Sequence, residues 1–237
     1  MGCNQDRVVS LDSSKFEVEN EIRKWEKDSE LSQKFFLDLI YEINSKILID
    51  GEVMEMIKFD NFFIKNFSKR YTKDFFEESY FLTEDGKIDL LKIKNLLLVL
   101  CIPKKIVTRK NMFYYDKSNY IFSYIKDIDM DNNEFIDKES HGLKTLIREL
   151  VIISVLIIPN IWFNNVKTAA KYKTDKLFTL QDKIEKISEC LTTEIFNTTA
   201  SDKEKLTLNN LNQLFDSFKG FLSSGYIREF ALEMFQV

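Results

Sequence analysis

The chain has 237 residues, 44% of them hydrophobic and 30% charged, which is typical of a folded globular protein and argues against a disordered chain. Its 6 Gly and 2 Pro are few for a β-sandwich, a barrel or a glycine-rich phosphate loop, so the composition favours a helical protein. The 34 basic and 38 acidic residues are well mixed, and a net charge of −4 provides no basic face for nucleic acid. We therefore expect no nucleic-acid partner.

The scarcity of histidine limits the catalytic chemistry open to this chain. The sequence contains 1 His, His141, which excludes a multi-histidine zinc site and would have to serve any Ser-His-Asp or Cys-His pair. The spacing of the carboxylates locates no acid–base site either. We therefore expect a protein that is not an enzyme.

Apolar residues recur at three- and four-residue steps along most of the chain, which is the spacing of amphipathic helices. The first predicted helix runs from about Val18 to Ile49, and Asp50-Gly51 ends it. The later predicted helices are, in chain order, 60–67, a short one at Phe75 and Phe76, 90–102, one marked by Ile121, Tyr124, Ile125 and Ile128, 143–158, one marked by Ile184, Ile187, Leu191 and Ile195, one marked by Leu208, Leu211, Leu214, Phe215 and Phe218, and 226–235. The apolar runs 96–102 and 150–158 are shorter than the roughly 20 residues of a membrane span, so we interpret them as deeply buried helices.

A short pattern occurs four times between the predicted helices. Each occurrence places an aliphatic residue directly after a polar loop and shortly before the next helix, at Ile57, Ile88, Ile136 and Leu206. This anatomy resembles that of an EF-hand, in which the aliphatic loop residue is extended and pairs with its counterpart in a partner loop; the resemblance implies that these four residues meet two by two as short extended segments.

The third occurrence carries the clearest motif. Residues 129–140, Asp-Met-Asp-Asn-Asn-Glu-Phe-Ile-Asp-Lys-Glu-Ser, resemble an EF-hand calcium loop, with acidic or amide side chains at positions one, three and five and an aliphatic residue at eight. Over roughly residues 30–218 the chain is similar to the calcineurin B and neuronal calcium sensor group of the EF-hand superfamily. The resemblance implies an all-α fold of paired EF-hand-like helix–loop–helix lobes, here with an insertion and an extra C-terminal helix.

The resemblance also implies a set of calcium ligands. They are the side chains of Asp129, Asp131 and Asn133, the carbonyl of Phe135 and, through a water, Asp137. Two positions depart from the pattern, because Ser140 replaces the closing Glu, and Glu134 replaces a Gly and would need a left-handed conformation. The implied cofactor is therefore one calcium ion at most, and an acidic, solvated helix connection explains the same residues without a metal. Met54, Lys92 and Lys203 stand at ligand positions of the other loops, which are not expected to hold calcium.

The predicted organisation has two lobes. A flexible leader at 1–17 precedes an N-terminal EF-hand-like lobe at 18–103 and a polar linker at 104–119. The C-terminal EF-hand-like lobe follows at 120–237, with an insertion at 159–180.

The beginning of the chain, Met1-Gly2-Cys3, has two interpretations. Myristate on Gly2 and palmitate on Cys3 would together give stable membrane association, whereas one acyl chain alone is marginal. Asp6 stands where the acylation motif prefers Ser or Thr, and an unmodified N-terminus followed by a disordered leader explains the same residues.

These patterns lead to one functional expectation and one alternative. We expect a non-catalytic adaptor or scaffold subunit that binds an amphipathic helix of a larger protein, largely independent of calcium. A composition rich in Lys, Asn, Ile and Phe is typical of AT-rich genomes, and it fits a fixed component of a cytoplasmic, cytoskeletal or ciliary assembly. The alternative is a lipid-anchored calcium sensor that regulates a signalling enzyme.

Overall fold

A computed structural model describes residues 33–55, 58, 83–101, 105–107, 114–130, 133–157, 183–199, 204–218 and 220–234. Several predictions fall on other residues: the leader at 1–17 with Gly2 and Cys3, the helices at 60–67 and around Phe75, the insertion at 159–180, and the residues Ile57 and Asp131. They lie outside the described residues.

The described part of the chain is mainly α-helical, as the sequence predicts, with strands of two or three residues between the helices. Its elements are α1 (Gln33–Asp50), β1 (Val53–Met54), β2 (Ile88–Asp89), α2 (Leu90–Leu100), β3 (Lys105–Val107), β4 (Tyr114–Asp116), α3 (Lys117–Asp129), β5 (Phe135–Asp137), α4 (His141–Ile152), a π-helical turn (Ile153–Ile157) that continues α4, α5 (Ile184–Thr199), β6 (Lys205–Thr207), α6 (Leu208–Ser217) and α7 (Ser224–Met234).

Two of the predicted extended residues pair as expected. β5 and β6 are antiparallel, and Ile136 is the Cα partner of Leu206. Both side chains are buried, Ile136 at 1% and Leu206 at 0% exposure. The pair therefore joins two helix–loop–helix units through a short β-bridge whose apolar side chains enter the core.

The register predicted for the first pair is wrong at one residue. β1 pairs with β2 so that Ile88 faces Met54, and not Ile57. The reason is local, because Gly51 ends α1 with a φ of 93° and the chain becomes extended two residues later. The amide of Leu90 donates to the carbonyl of Glu52 over 2.8 Å, which extends the pairing by one hydrogen bond.

A third antiparallel pair was not predicted. β3 and β4 pair from Lys105 with Asp116 to Val107 with Tyr114, inside the predicted linker. The side chain of Asp116 then caps α3 by accepting a hydrogen bond from the amide of Asn119 over 3.2 Å. A hairpin-like pair thus leads directly into α3.

The buried apolar side chains form one continuous core that includes residues of every helix. α1 packs on α2, α4 lies between α3 and α5, and α7 packs on the π-helical turn and on α4. This contact covers the apolar run at 150–155, which is fully buried. Among the described residues no helix has the length and apolar character needed to cross a membrane.

Candidate functional site

The loop between α3 and α4 contains the predicted calcium ligands. α3 ends at Asp129, and Met130 follows in a left-handed conformation with a φ of 53°. β5 then carries Phe135 and Asp137, and Ser140 is the N-cap of α4. The local sequence explains the start of α4, since the hydroxyl of Ser140 accepts a hydrogen bond from the amide of Leu143 over 3.0 Å.

The carboxylate of Asp129, at loop position one, is bound by protein groups. One oxygen accepts from the hydroxyl of Ser140 over 2.5 Å, and the other accepts from the backbone amide of Gly142 over 2.7 Å. Asp129 therefore ties the end of α3 to the first turn of α4. A carboxylate at a helix N-terminus is stabilised by the unpaired amides and the helix dipole.

The carbonyl of Phe135, at loop position seven, is also engaged. The ammonium of Lys126, one turn before the end of α3, donates a hydrogen bond to this carbonyl. The same ammonium lies 5.5 Å from the ring centroid of Phe122. On the other side, the ammonium of Lys205 lies 4.3 Å from the ring centroid of Phe135. Two lysines thus hold Phe135 by its carbonyl and by its ring.

The backbone conformation of this loop differs from the one expected. Glu134 was expected to be left-handed at position six, but its φ is not positive, and Met130 at position two takes the left-handed conformation instead. Met130 is 92% exposed, so its side chain has room in that conformation. Among the described residues of this loop, the left-handed residue is therefore Met130, which is the C-cap of α3.

The remaining predicted ligands are Asp131, Asn133 and Asp137. Asn133 is exposed, and Asp131 lies outside the described residues. Asp137 is exposed within β5, and its carbonyl accepts from the amide of Ser140 over 3.0 Å. Within the described ranges, no three His, Cys, Asp or Glu residues form a group that could hold a metal ion. Both oxygens of Asp129 and the carbonyl of Phe135 accept hydrogen bonds from protein groups in this arrangement.

The residue next to the closing position is engaged as well. Glu139 forms an exposed ion pair with Lys144 of α4. The hydrogen bond from Lys144 lowers the pKa of the Glu139 carboxyl. Glu139 directly precedes position twelve, where a calcium loop has its closing Glu, and its carboxylate is paired with a lysine.

The loop between α5 and α6 closes by a similar direct contact. Thr207 and Asn210 form a capping box at the start of α6. The side-chain amide of Asn210, at position twelve of the predicted fourth loop, donates to the carbonyl of Thr199 at position one over 3.5 Å. Both loops of the C-terminal half therefore have a hydrogen bond between the first and twelfth positions.

The loop before β2 follows the expected pattern at one residue. Gly86, at the predicted position six, has a φ of 74°, the conformation that favours glycine. Thr83 and Lys87 both bond to the carboxylate of Asp85, the lysine at 2.6 Å. The hydrogen bond from Lys87 lowers the pKa of Asp85.

A buried lysine joins the two halves of the chain. Lys117, the first residue of α3, is 0% exposed, and its ammonium donates to the carbonyl of Cys101 at the end of α2. It also lies 5.1 Å from the ring centroid of Phe215 in α6. Because burial removes the charged amine from water, it lowers the pKa of Lys117 to about 7. No sequence pattern pointed to this residue.

Two further residues of this region were missed from the sequence. Lys126 sits in a helix with no feature that distinguishes it from a solvated lysine. Gly142 had a weak signal, since it interrupts a helical pattern just after an N-cap. A Cβ at Gly142 would lie 2.5 Å from the carbonyl oxygen of Ile125, so α3 and α4 cross too closely there for any side chain.

The N-terminal half exposes several large apolar side chains close together. Leu48 is 71%, Ile49 is 76% and Val53 is 43% exposed, and these three residues, the apolar patch, fall within six positions at the end of α1 and in β1. Exposed acidic residues, among them Asp50 and Glu52, lie between them in the sequence. Large apolar side chains that are exposed close together in the sequence, with acidic residues between them, are candidates for an interaction surface.

The comparisons with known proteins assign no family. No protein-family model, no curated protein and no solved structure matches this chain.

Proposed function

We propose that this chain is a non-catalytic, EF-hand-like adaptor that binds an amphipathic helix of a protein partner and does so largely independently of calcium. The observation that carries the proposal is the apolar patch, because three large side chains within six residues are exposed to water at the end of α1 and in β1. Docking an apolar helix face on such side chains removes their surface from water, which is the main driving force for helix-in-groove recognition.

The charges around the apolar patch favour a basic partner. Asp50, Glu52 and Glu55 are exposed in the same segment. The ammonium of Lys46 lies 3.6 Å from a carboxylate oxygen of Asp50, and the ammonium of Lys87 lies 4.0 Å from one of Glu55. Exposed ion pairs are weak, so a cation of the partner can replace the lysine in each. A partner helix with an apolar stripe flanked by Lys or Arg would therefore complement this surface in both respects.

The C-terminal half is a poorer place for this partner. Its long apolar segment at 150–155 is buried, and α7 of the same chain packs on the π-helical turn at its end. A partner helix would have to displace α7 before it could reach this segment. The proposed docking surface is therefore the apolar patch of the N-terminal half.

The proposed setting is the cytoplasm, within a cytoskeletal or ciliary assembly. Acylation of Gly2 and Cys3 would add membrane association to this role. The mass of the N-terminal peptide from the native protein tests it, since each acyl chain adds a fixed mass and an unmodified peptide excludes both.

A binding experiment tests the adaptor role. The full chain, the Leu48→Asp/Ile49→Asp variant and a Met130→Asp control are used to capture partners from the native cell, and the captured segment is then synthesised as a peptide. We expect the peptide to bind the wild type and the control equally, and the double variant at least about tenfold more weakly. Met130 is a suitable control because it is 92% exposed but lies outside the apolar patch.

The same titration in calcium and in EDTA separates the two functional hypotheses. The adaptor proposal predicts equal affinity in both buffers. Binding that requires calcium would support the calcium sensor instead, and equal binding of the wild type and the double variant would contradict the proposed surface.

A further inference from the structure

We propose that the ammonium of Lys126 takes the place of a metal cation in the loop between α3 and α4, so that this loop is closed by a positive charge of the chain itself. The inference stands on contacts within the loop and does not depend on the adaptor role. It starts from the disagreement between the predicted calcium ligands and the bonds that these residues make.

The first step concerns the carbonyl of Phe135. In a calcium loop this position offers its carbonyl to the cation. Here the carbonyl accepts a hydrogen bond from the Lys126 ammonium. A charge-assisted hydrogen bond of this kind satisfies the carbonyl in the way that a bound cation would, and it leaves a positive charge where a calcium ion would have to approach.

The second step concerns the ligand at position one. Both oxygens of Asp129 are bonded to the first turn of α4, one to the Ser140 hydroxyl at 2.5 Å and one to the Gly142 amide at 2.7 Å. Each oxygen keeps a second lone pair, but the two hydrogen bonds hold the carboxylate against the first turn of α4. The hydroxyl of Ser140 cannot replace the bidentate carboxylate that closes a calcium loop, because it supplies a single neutral oxygen.

The third step is the position of Lys126 on α3. Lys126 lies three residues before Asp129, and the ring of Phe122, one turn further back, lies 5.5 Å from the ammonium. The aromatic face stabilises the positive charge next to the loop. The lysine is therefore held between a ring of α3 and a carbonyl of β5, and it links the helix to the strand that pairs with β6.

Calcium calorimetry on the full chain tests the proposal with a set of matched variants. Ser140→Glu supplies the missing closing carboxylate, and Lys126→Met removes the ammonium but keeps an apolar side chain. Lys126→Arg keeps the positive charge, and Lys144→Met removes an exposed lysine whose partner is Glu139. The last two changes are combined with Ser140→Glu as controls, and circular dichroism in EDTA confirms that each variant is folded.

We expect the Lys126→Met/Ser140→Glu variant to bind calcium at least tenfold more tightly than Ser140→Glu alone. The two control combinations should bind calcium with the same affinity as Ser140→Glu. Lys126→Arg keeps a positive charge at position 126, and Lys144→Met removes an exposed charge that does not contact the Phe135 carbonyl. Equal calcium affinity of Ser140→Glu with and without Lys126→Met would overturn the proposal, as would the absence of binding in both. Micromolar binding by the wild type would overturn it as well and would support the calcium site predicted from the sequence. The adaptor role is measured separately, by peptide binding in EDTA.

Discussion

At the scale of single residues, the structure uses charged groups as internal ties. Lys117, Lys126 and Asp129 each connect the end of one helix or strand to another element through hydrogen bonds to backbone groups. Such ties satisfy helix ends that would otherwise bury unpaired carbonyls or amides. Each tie leads to a measurable consequence.

The buried lysine makes stability depend on pH. Its pKa is about 7 in the folded chain against an ordinary value of 10.5, so the unfolded chain binds more protons between these values and stability rises with pH across that window. We expect the free energy of unfolding to increase by up to about 3 kcal/mol between pH 7 and about 9.5. Urea denaturation at several pH values measures it.

The matched variants for this prediction are Lys117→Met and Lys144→Met. Lys117→Met should lose most of the pH dependence, leaving the trend of the same sign that comes from Lys94, whose pKa is lowered by partial burial. Lys144→Met should keep it because Lys144 is exposed in an ion pair. Burial raises the pKa of Tyr115, which adds an opposite trend only above about pH 10, where tyrosines of the unfolded chain ionise. An unchanged slope in Lys117→Met would show that another group is responsible.

The tie made by Asp129 is expected to stabilise the fold without metal. Asp129→Ala removes the acceptor of the Ser140 hydroxyl and of the Gly142 amide, so we expect a loss of about 1–3 kcal/mol. The measurement is urea denaturation in EDTA. Asp137→Ala is the control, since Asp137 is an exposed predicted ligand. A loss that appears only in calcium would mean that Asp129 acts as a metal ligand.

At the scale of the elements, the crossing of α3 and α4 depends on the absence of a side chain at Gly142. Alanine forms helices better than glycine by about 1 kcal/mol, so Gly142→Ala would stabilise the protein if the position were open. Because the added Cβ would lie 2.5 Å from the carbonyl oxygen of Ile125, we expect a net destabilisation of about 1–3 kcal/mol. The change in the urea midpoint of Gly142→Ala shows whether helix propensity or the steric clash dominates. A higher midpoint would contradict the close approach of α3 and α4.

The helices were predictable because their apolar faces repeat with the helical period. Leu211 and Phe215, for example, were among the residues that marked a predicted helix, and both are 1% exposed in α6. The π-helical turn at Ile153–Ile157 had no signal, since every register of a continuous apolar run looks alike.

The short strands were harder to place than the helices. The pairing of Ile136 with Leu206 was found because both residues follow polar loops and precede helices. Met54 was missed because the register of β1 depends on how soon the chain becomes extended after Gly51, which a fixed loop length did not anticipate. β3 and β4 pair with each other across a short stretch of chain, and they were missed because residues 104–119 were interpreted as a polar linker.

The residues at the ligand positions of the candidate site were predicted from the sequence, but the groups to which they are hydrogen-bonded were not. A sequence shows that Asp129 and Phe135 stand at ligand positions of a loop, and it does not show that Ser140, Gly142 and Lys126 reach them first. These contacts depend on how closely α3 and α4 approach each other, and the absence of a side chain at Gly142 permits that approach.

At the scale of the whole molecule, the halves of the chain are joined by their core and by Lys117. The continuous apolar core includes residues of α1 and α2 as well as of α3 to α7. Loops closed by the chain's own groups and a C-terminal helix packed on the apolar run favour a single stable state over a switch. This agrees with the proposed adaptor, whose proposed interaction surface is the apolar patch.

We expect the helix–loop–helix units of this chain to pair through short strands without calcium. A nuclear Overhauser experiment on the full, isotope-labelled chain in EDTA tests this expectation. It should show cross-strand contacts between Ile136 and Leu206 and between Met54 and Ile88, unchanged when calcium is added. Contacts that are absent in EDTA and appear only with calcium would contradict it.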